Sequence, residues 1–328
     1  MINKRAFFLL ILLLAFIGFA ACGSDNYFYL ASDKPSNLWV KDASNPILSP
    51  GTSGEWDDTF VISPSVIYNG TSYQMWYAGY DGAVMRIGYA TSTDGVVWTK
   101  YPSNPVFNTG SGWDGSGVSS PSVVYDGITY HMWYSGNNGA EWKIGYATSP
   151  DGINWTRYPF NPVLDVGTSG EWDDSYLDHP HVVYTGTGFK MWYSGDGGSL
   201  YRVGYATSPD GVNWTKHPSN PVLDVGTSGE WDDNQILPGG VVYVGNTYHM
   251  WFTADDGLNT RIGYATSGDG GVWTKAPFNP VLNISSNGRW DDYTTGYPSV
   301  IYNGTGFEML YVGHDGSTTY KIGRATAD

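Results

Sequence analysis

Apolar and aromatic residues in this chain come in runs of four to seven, rich in Val, Ile, Tyr and Trp, and the runs are cut by Asn-Gly, Asp-Gly and Asn-Pro. None of them repeats at helical spacing, so the pattern reads as strands joined by tight turns. In one stretch it predicts strands near Ser65 to Tyr68, Tyr73 to Ala78, Met85 to Thr91 and Val96 to Lys100. The same stretch then recurs. Trp-Asp stands at Trp56, Trp113, Trp172, Trp231 and Trp290, at intervals of 57, 59, 59 and 59 residues. Each copy continues to a proline (Pro64, Pro121, Pro180, Pro238, Pro298), an apolar run, Met-Trp-Tyr or a near variant, and Ile-Gly-Tyr-Ala-Thr-Ser or a near variant. Four strands per module at this period predict an all-β fold, a five-bladed β-propeller.

The two ends of the repeat region fit together. The fifth copy stops at Ala325-Thr-Ala-Asp328, where the others continue with Gly-x-x-Trp-Thr. The missing piece stands at the other end, as Ser36-Asn-Leu-Trp39-Val-Lys41 followed by Asn45-Pro46-Ile47-Leu48. The N-terminal strand is therefore expected to complete the last blade, closing the ring and removing an open sheet edge. Asn69-Gly70 and Asp94-Gly95 then turn on one face of the disc. The loop around Tyr80-Asp81-Gly82 and the Trp56-Asp57-Asp58 connection lie on the other, the top.

Ahead of the repeats, Lys4 and Arg5 precede an apolar run from Ala6 to Ala21 and then Cys22, the single cysteine. This reads as an export signal, since about 16 apolar residues fall short of the roughly 20 that a membrane span needs. A lone Cys after Ala20-Ala21 resembles a bacterial lipobox, with Phe19 where Leu is usual. The expected organisation is a lipoprotein signal peptide over residues 1–21, a lipidated Cys22 with a tether to residue 36, and the propeller over 37–328. That places the protein in the bacterial envelope, periplasmic or cell-surface, touching the membrane through its lipid only; simple secretion is the second reading. A net charge of −15 argues against nucleic acid, which needs a basic surface.

Ser-x-Asp-Gly-x-x-Trp (Ser149 to Trp155, Ser208 to Trp214), Met-Trp-Tyr-Ser-Gly, Ile-Gly-Tyr-Ala-Thr-Ser and Asn-Pro-Val-Leu together resemble the five-bladed glycosidase superfamily. Its members include the arabinanase and xylosidase families, the invertase group and the mannoside phosphorylases. The resemblance covers residues 37–328 and implies a propeller that takes an oligo- or polysaccharide; a monomer is expected. In the arabinanase and xylosidase families it further implies a base Asp, an orienting Asp and an acid Glu, the Asp residues often directly before a proline. Two carboxylates flanking a glycosidic bond need environments that set their pKa values apart. Here the residues before the prolines are Ser63, Ser120, His179, Leu237 and Tyr297, none of them a carboxylate.

Residues that recur in every blade are read as framework. These are the outer tryptophans, the Trp-Asp motifs, and the basic residue before each Ile-Gly or Val-Gly (Arg86, Lys143, Arg202, Arg261, Lys321), which is expected to pair with a Trp-Asp carboxylate. No cofactor is expected. The minority reading has the ring of Asp57, Asp58, Asp114, Asp173, Asp174, Asp232, Asp233, Asp291 and Asp292 binding Ca²⁺ or sugar hydroxyls. Positions where blades differ carry the site, and blade three departs furthest, with Asp178-His179-Pro180-His181. Three readings stay open for Asp178, His179 and His181: an acid/base pair, a polar sugar-binding wall, or a hydrogen-bonded group that only packs. On a regular strand His179 and His181 would face the same way. Tyr176, Gln235, Tyr293 and Tyr297 are the expected sugar contacts, with Trp142, His314, Asp81, Asp196 and Asp255 as an outer rim. The function expected is glycan recognition by an exported lipoprotein, with hydrolysis through Asp178 and a histidine, or protein docking without catalysis, as alternatives.

Overall fold

The computed structural model describes residues 39–198, 200–317 and 319–327, all within one compact unit, Lys34–Asp328. The expected signal peptide, Cys22 and the tether lie outside the described residues. The strands are β1 (Val40–Lys41); β2 (Phe60–Tyr68), β3 (Tyr73–Tyr80), β4 (Met85–Ser92) and β5 (Thr99–Lys100) in blade one; and β6 (Gly117–Tyr125), β7 (Tyr130–Asn137), β8 (Trp142–Ser149) and β9 (Thr156–Arg157) in blade two. Blade three holds β10 (Tyr176–Tyr184), β11 (Phe189–Asp196), β12 (Arg202–Ser208) and β13 (Thr215–Lys216); blade four holds β14 (Gln235–Val244), β15 (Thr247–Asp255), β16 (Thr260–Ser267) and β17 (Thr274–Lys275). Blade five is β18 (Thr294–Tyr302), β19 (Phe307–His314) and β20 (Lys321–Ala327). It is completed by β1, which pairs antiparallel to β20 through Val40↔Thr326 and Lys41↔Ala325.

Inner strands are longer than the sequence pattern suggests, and outer strands shorter. In β2 the pairing runs on past Pro64 because a bulge moves the register from Ile62↔Ala78 to Ser65↔Trp76, which spares the proline a ladder bond. The outer strand of blade one is only Thr99–Lys100, since the N–H groups of Val96 and Val97 are taken by Asp94 Oδ1 at 2.9 and 2.8 Å.

Packing between blades follows the repeat. Trp76, Trp133 and Trp192 are fully buried, and each donates its indole N–H to a glycine carbonyl in the next blade's turn, Gly152, Gly211 and Gly270, at 2.7, 2.8 and 2.8 Å. The indole N–H groups of Trp39 and Trp251 have no partner among the described residues; the repeat puts Ser36, outside them, at the glycine's position. Blade five has Leu310 instead, and its seam with blade one adds a polar network to an apolar cluster. Arg324 pairs with Glu308 at 2.6 Å and with Asp42 at 3.1 Å, and the Tyr73 hydroxyl donates to Glu308 at 2.9 Å.

The first aspartate of every Trp-Asp motif is buried, and its partner differs from the expected one. The pairs are Asp57–Lys100 (2.7 Å), Asp114–Arg157 (2.9 Å), Asp173–Lys216 (2.8 Å), Asp232–Lys275 (2.6 Å) and Asp291–Lys41 (2.6 Å). These cations come from the outer strands, so Lys41 repeats in blade five what the outer strand of each other blade does. In four blades a tyrosine also donates to the same carboxylate: Tyr77, Tyr134, Tyr193 and Tyr311, at 2.9 to 3.1 Å. Burial, and then the adjacent aspartate, pushes the ionisation of these phenols well above its ordinary value. The basic residues before Ile-Gly or Val-Gly pair elsewhere: Arg86 with Asp81, Arg261 with Asp256, Lys143 with Glu141 and Asp165, and Arg202 with Asp224. The second aspartates serve the loop backbone, with Asp58, Asp174, Asp233 and Asp292 accepting from the N–H groups of Gly54, Gly170, Gly229 and Gly288. No group of three or more His, Cys, Asp or Glu arranged to hold a metal ion occurs among the described residues.

Candidate active site at the mouth of the central channel

The inner-strand bulges aim one residue per blade at the axis. Ser63, Ser120, His179 and Tyr297 all sit in the left-handed region, with φ of 49, 47, 48 and 51°. A non-glycine residue there, directly before proline, is strained. Blade four is the exception: its ladder continues through Leu237↔Thr253 and Pro238↔Phe252, the bulge shifts to Gly239-Gly240, and Leu237 is buried. Together with the five prolines, Ser63, Ser120, His179, His181, Gly239 and Tyr297 line a channel of about 30 Å³. That space admits about two water molecules, so a sugar ring can engage only the mouth and not the shaft.

At the mouth the His179 ring stacks on Tyr297, centroids 5.1 Å apart and planes 21° from parallel. Tyr297 is held by its backbone N–H, which donates to Thr253 Oγ1 at 2.6 Å. Burial first, then nearby tyrosine and aspartate groups including Tyr320, Asp178 and Asp255, raises its phenol ionisation. Asp178 Oδ1 accepts from the His179 N–H at 2.7 Å, and its Oδ2 lies 3.4 Å from His179 Nδ1. Neither His179 Nδ1 nor Ser63 Oγ makes a hydrogen bond among the described residues, although both atoms are buried. Unsatisfied buried polar atoms are rare in native folds and mark a place for water or ligand.

His181 does different work. Because of the bulge between Asp178 and His181, the two histidines do not follow simple strand alternation. His181 Nε2 accepts from the Val241 N–H of blade four at 2.9 Å. In sister blades a serine does this job: Ser65, Ser122 and Ser299 accept from Val123, Val182 and Val66. Burial holds the His181 pKa down to about 4, so the ring is neutral and its lone pair is spent on the blade seam. His181 is thus engaged at the seam, whereas Asp178 and His179 meet each other at the mouth.

The remaining candidates surround the mouth. Asp255 is gripped by the side-chain amides of Asn234, at 2.7 Å, and Gln235 and by the Gly257 N–H at 2.9 Å, which fixes Gln235 as a support for the carboxylate. Asp196 accepts from the Gly198 N–H at 2.8 Å and pairs in register with Tyr176 across the ladder. Trp142 opens β8 and covers Gly117, the small residue at the start of the inner strand of blade two. His314 is committed on both nitrogens, to the Gly316 N–H at 2.9 Å and Thr294 Oγ1 at 3.0 Å, while Tyr293 beside it is half-exposed. Asp81 is occupied by Arg86. Sequence reasoning missed Tyr201, whose phenol is raised to about 12 by burial and then by Asp178, Asp196 and Tyr176. It stands where other blades have Met85, Trp142, Thr260 and Tyr320, a difference visible in the repeat alignment.

Residues 61–171 match the family described as beta-1,4-mannooligosaccharide phosphorylase. A solved structure from work on the family-130 mannoside phosphorylases, which reports glycoside hydrolases targeting β-1,2 mannosidic linkages in Candida mannan, superposes with a TM-score of 0.71 at 18% identity, covering 91% of this chain and 95% of that one. A thermostable family-43 glycoside hydrolase superposes at 0.64 with 18% identity, over 85% and 91%. The chain has the fold of the five-bladed propeller glycosidases. In sequence this propeller is 32% identical over 207 residues to an uncharacterised protein of Mycobacterium tuberculosis, spanning 59% of this chain and 66% of that protein. It is 29% identical over 127 residues to a 1,2-beta-oligomannan phosphorylase of Thermoanaerobacter sp., spanning 35% of this chain and 42% of the relative. The matched segments thus span only part of these relatives' length.

Proposed function

We propose that this propeller is an exported lipoprotein, anchored through Cys22, that engages a neutral β-linked oligosaccharide of the mannoside type at the channel mouth. The observation that carries this reading is the His179–Tyr297 stack beside Asp178, with the buried His179 Nδ1 and Ser63 Oγ left without hydrogen bonds among the described residues. It occupies the ring of positions where the blades differ, and the narrow shaft keeps the ligand at the top. Stacked rings receive the apolar face of a sugar while neighbouring polar atoms take its hydroxyls. The mannoside class comes from the family match and the phosphorylase relative.

A second reading makes the same site catalytic. Asp178 is the carboxylate that orients or deprotonates the attacking group, and His179, in contact with it, protonates the leaving oxygen. Incubation with β-1,2- and β-1,4-mannooligosaccharides, with and without inorganic phosphate, separates the outcomes. Free mannose marks hydrolysis, and a mannose phosphate formed only with phosphate marks phosphorolysis. Retention on a glycan array without product marks recognition alone. No product and no retention of any neutral glycan contradicts the proposal. Labelling of Cys22 by a fatty-acid analogue in a bacterial host tests the anchor.

A further inference from the structure

Framework aromatics recur in every blade; one set on the top face does not. Tyr293, His314, Tyr320, Phe60 and Tyr80 form an unbroken series of ring contacts across the junction of blades five and one. Centroid separations along it are 5.2 Å for Tyr293–His314, 4.2 Å for His314–Tyr320, 5.7 Å for Tyr320–Phe60 and 4.8 Å for Phe60–Tyr80. In the repeat alignment the place of Phe60 is taken by Gly117, Tyr176, Gln235 and Thr294, and that of Tyr80 by Asn137, Asp196, Asp255 and His314. Blade construction therefore does not demand these rings. Tyr293 is 50% exposed, and Phe60, Tyr80 and Tyr320 are half-buried, so ring surface remains open to solvent.

The series is continuous with the mouth. Tyr320 and Tyr297 pack against the same hydrophobic cluster, the Tyr320 carbonyl accepts from the Val61 N–H across the seam at 3.2 Å, and Tyr297 carries the stack on to His179. No lysine or arginine belongs to the series, and Asp292 and Asp315 lie close enough to His314 to act on its ionisation. An anionic ligand is disfavoured there, and a neutral one is not.

We propose that this aromatic series is a docking track for an extended neutral glycan chain, leading from the rim of blade one to Asp178. The inference rests on the reading of the mouth as a glycan site. It specifies a chain of several sugar units over a disaccharide, with the distal units lying on the rings of blades five and one. Asp178, Asp196 and Asp255 stand on the opposite arc, in blades three and four, and the stack of Tyr297 on His179 leads from the track to Asp178.

The test is calorimetric titration of the full chain with β-1,2- and β-1,4-linked mannobiose and mannohexaose, repeated for Phe60→Ala and Tyr293→Ala. Tyr293 is exposed enough that its truncation leaves the fold intact, and a thermal midpoint checks Phe60→Ala. The native chain is expected to bind a hexaose at least about tenfold tighter than the corresponding biose, and each variant to lower that ratio by several-fold. A native ratio near one, or an unaltered ratio in both variants, overturns the track while leaving the mouth reading in place. Failure to bind any of the four sugars overturns the mannoside reading itself, and the track with it.

Discussion

Two sets of carboxylates in this propeller have opposite characters. Asp57, Asp114, Asp173, Asp232 and Asp291 recur in every blade, and each is met by an outer-strand lysine or arginine. Asp178 belongs to one blade and Asp255 recurs only as Asp196, and among the described residues neither Asp178 nor Asp255 forms an ion pair with lysine or arginine. The Asp178 carboxylate contacts the backbone N–H and the ring of His179; Asp255 is held by amides. A carboxylate neutralised by a fixed cation has nothing left to offer a ligand, whereas one held by amide and imidazole groups keeps its charge available. Burial alone therefore does not separate framework from site in a repeat protein; the nature of the partner does.

The contrast breaks first at the framework set. Asp173→Ala strands Lys216 and the Tyr193 hydroxyl, and denaturant unfolding is expected to show a loss of about 3–5 kcal/mol. Asp232→Ala should cost roughly 1 kcal/mol less, because blade four carries Phe252 in place of the tyrosine and no phenol is orphaned. Next comes His181. Its folded pKa of about 4 lies below the ordinary value near 6.5, so between those two values the unfolded chain binds more protons. Stability from this group is intact above about pH 6.5 and lost as pH falls toward 4. Native protein should lose on the order of 2–3 kcal/mol more than His181→Ser over that interval, the serine restoring the acceptor its sister blades use. His181→Ala, which leaves the Val241 N–H unmet, should cost about 1–3 kcal/mol at pH 7. The smallest stability change, within about 1 kcal/mol, is expected for Asp178→Asn, together with the largest loss of glycan affinity or turnover.

The fold was largely legible in the residues. The Trp-Asp interval, the punctuation by Asn-Gly and Asp-Gly, and the fit of Trp39-Val-Lys41 to the truncated fifth copy led to a five-bladed ring closed by its first strand, and β1 pairs with β20 as that reading requires. The extent of the inner strands was not legible, because a bulge at a pre-proline residue leaves no hydrophobic signature. The cation of the Trp-Asp carboxylates was assigned to the wrong strand: Arg86 and its equivalents recur as faithfully as Lys100 and its equivalents, and only three-dimensional adjacency distinguishes them. At the site, Asp178 and His179 were visible as departures from the repeat. His181 was equally visible, yet its departure is a serine-to-histidine exchange at a seam. Tyr201, Tyr320 and Phe60 were overlooked because aromatics in strands are common, and their meaning comes from non-recurrence in sister blades.

The central claim is that Asp178 belongs to a glycan site and Asp173, five residues earlier, to the frame. Unfolding midpoint and retention on a β-mannooligosaccharide matrix, measured side by side for Asp178→Asn and Asp173→Asn, test it most directly. The account predicts a native midpoint with at least about tenfold weaker retention for Asp178→Asn, and a lowered midpoint for Asp173→Asn with retention preserved in the fraction that stays folded. Undiminished retention by Asp178→Asn, or a midpoint drop equal to that of Asp173→Asn, would contradict it.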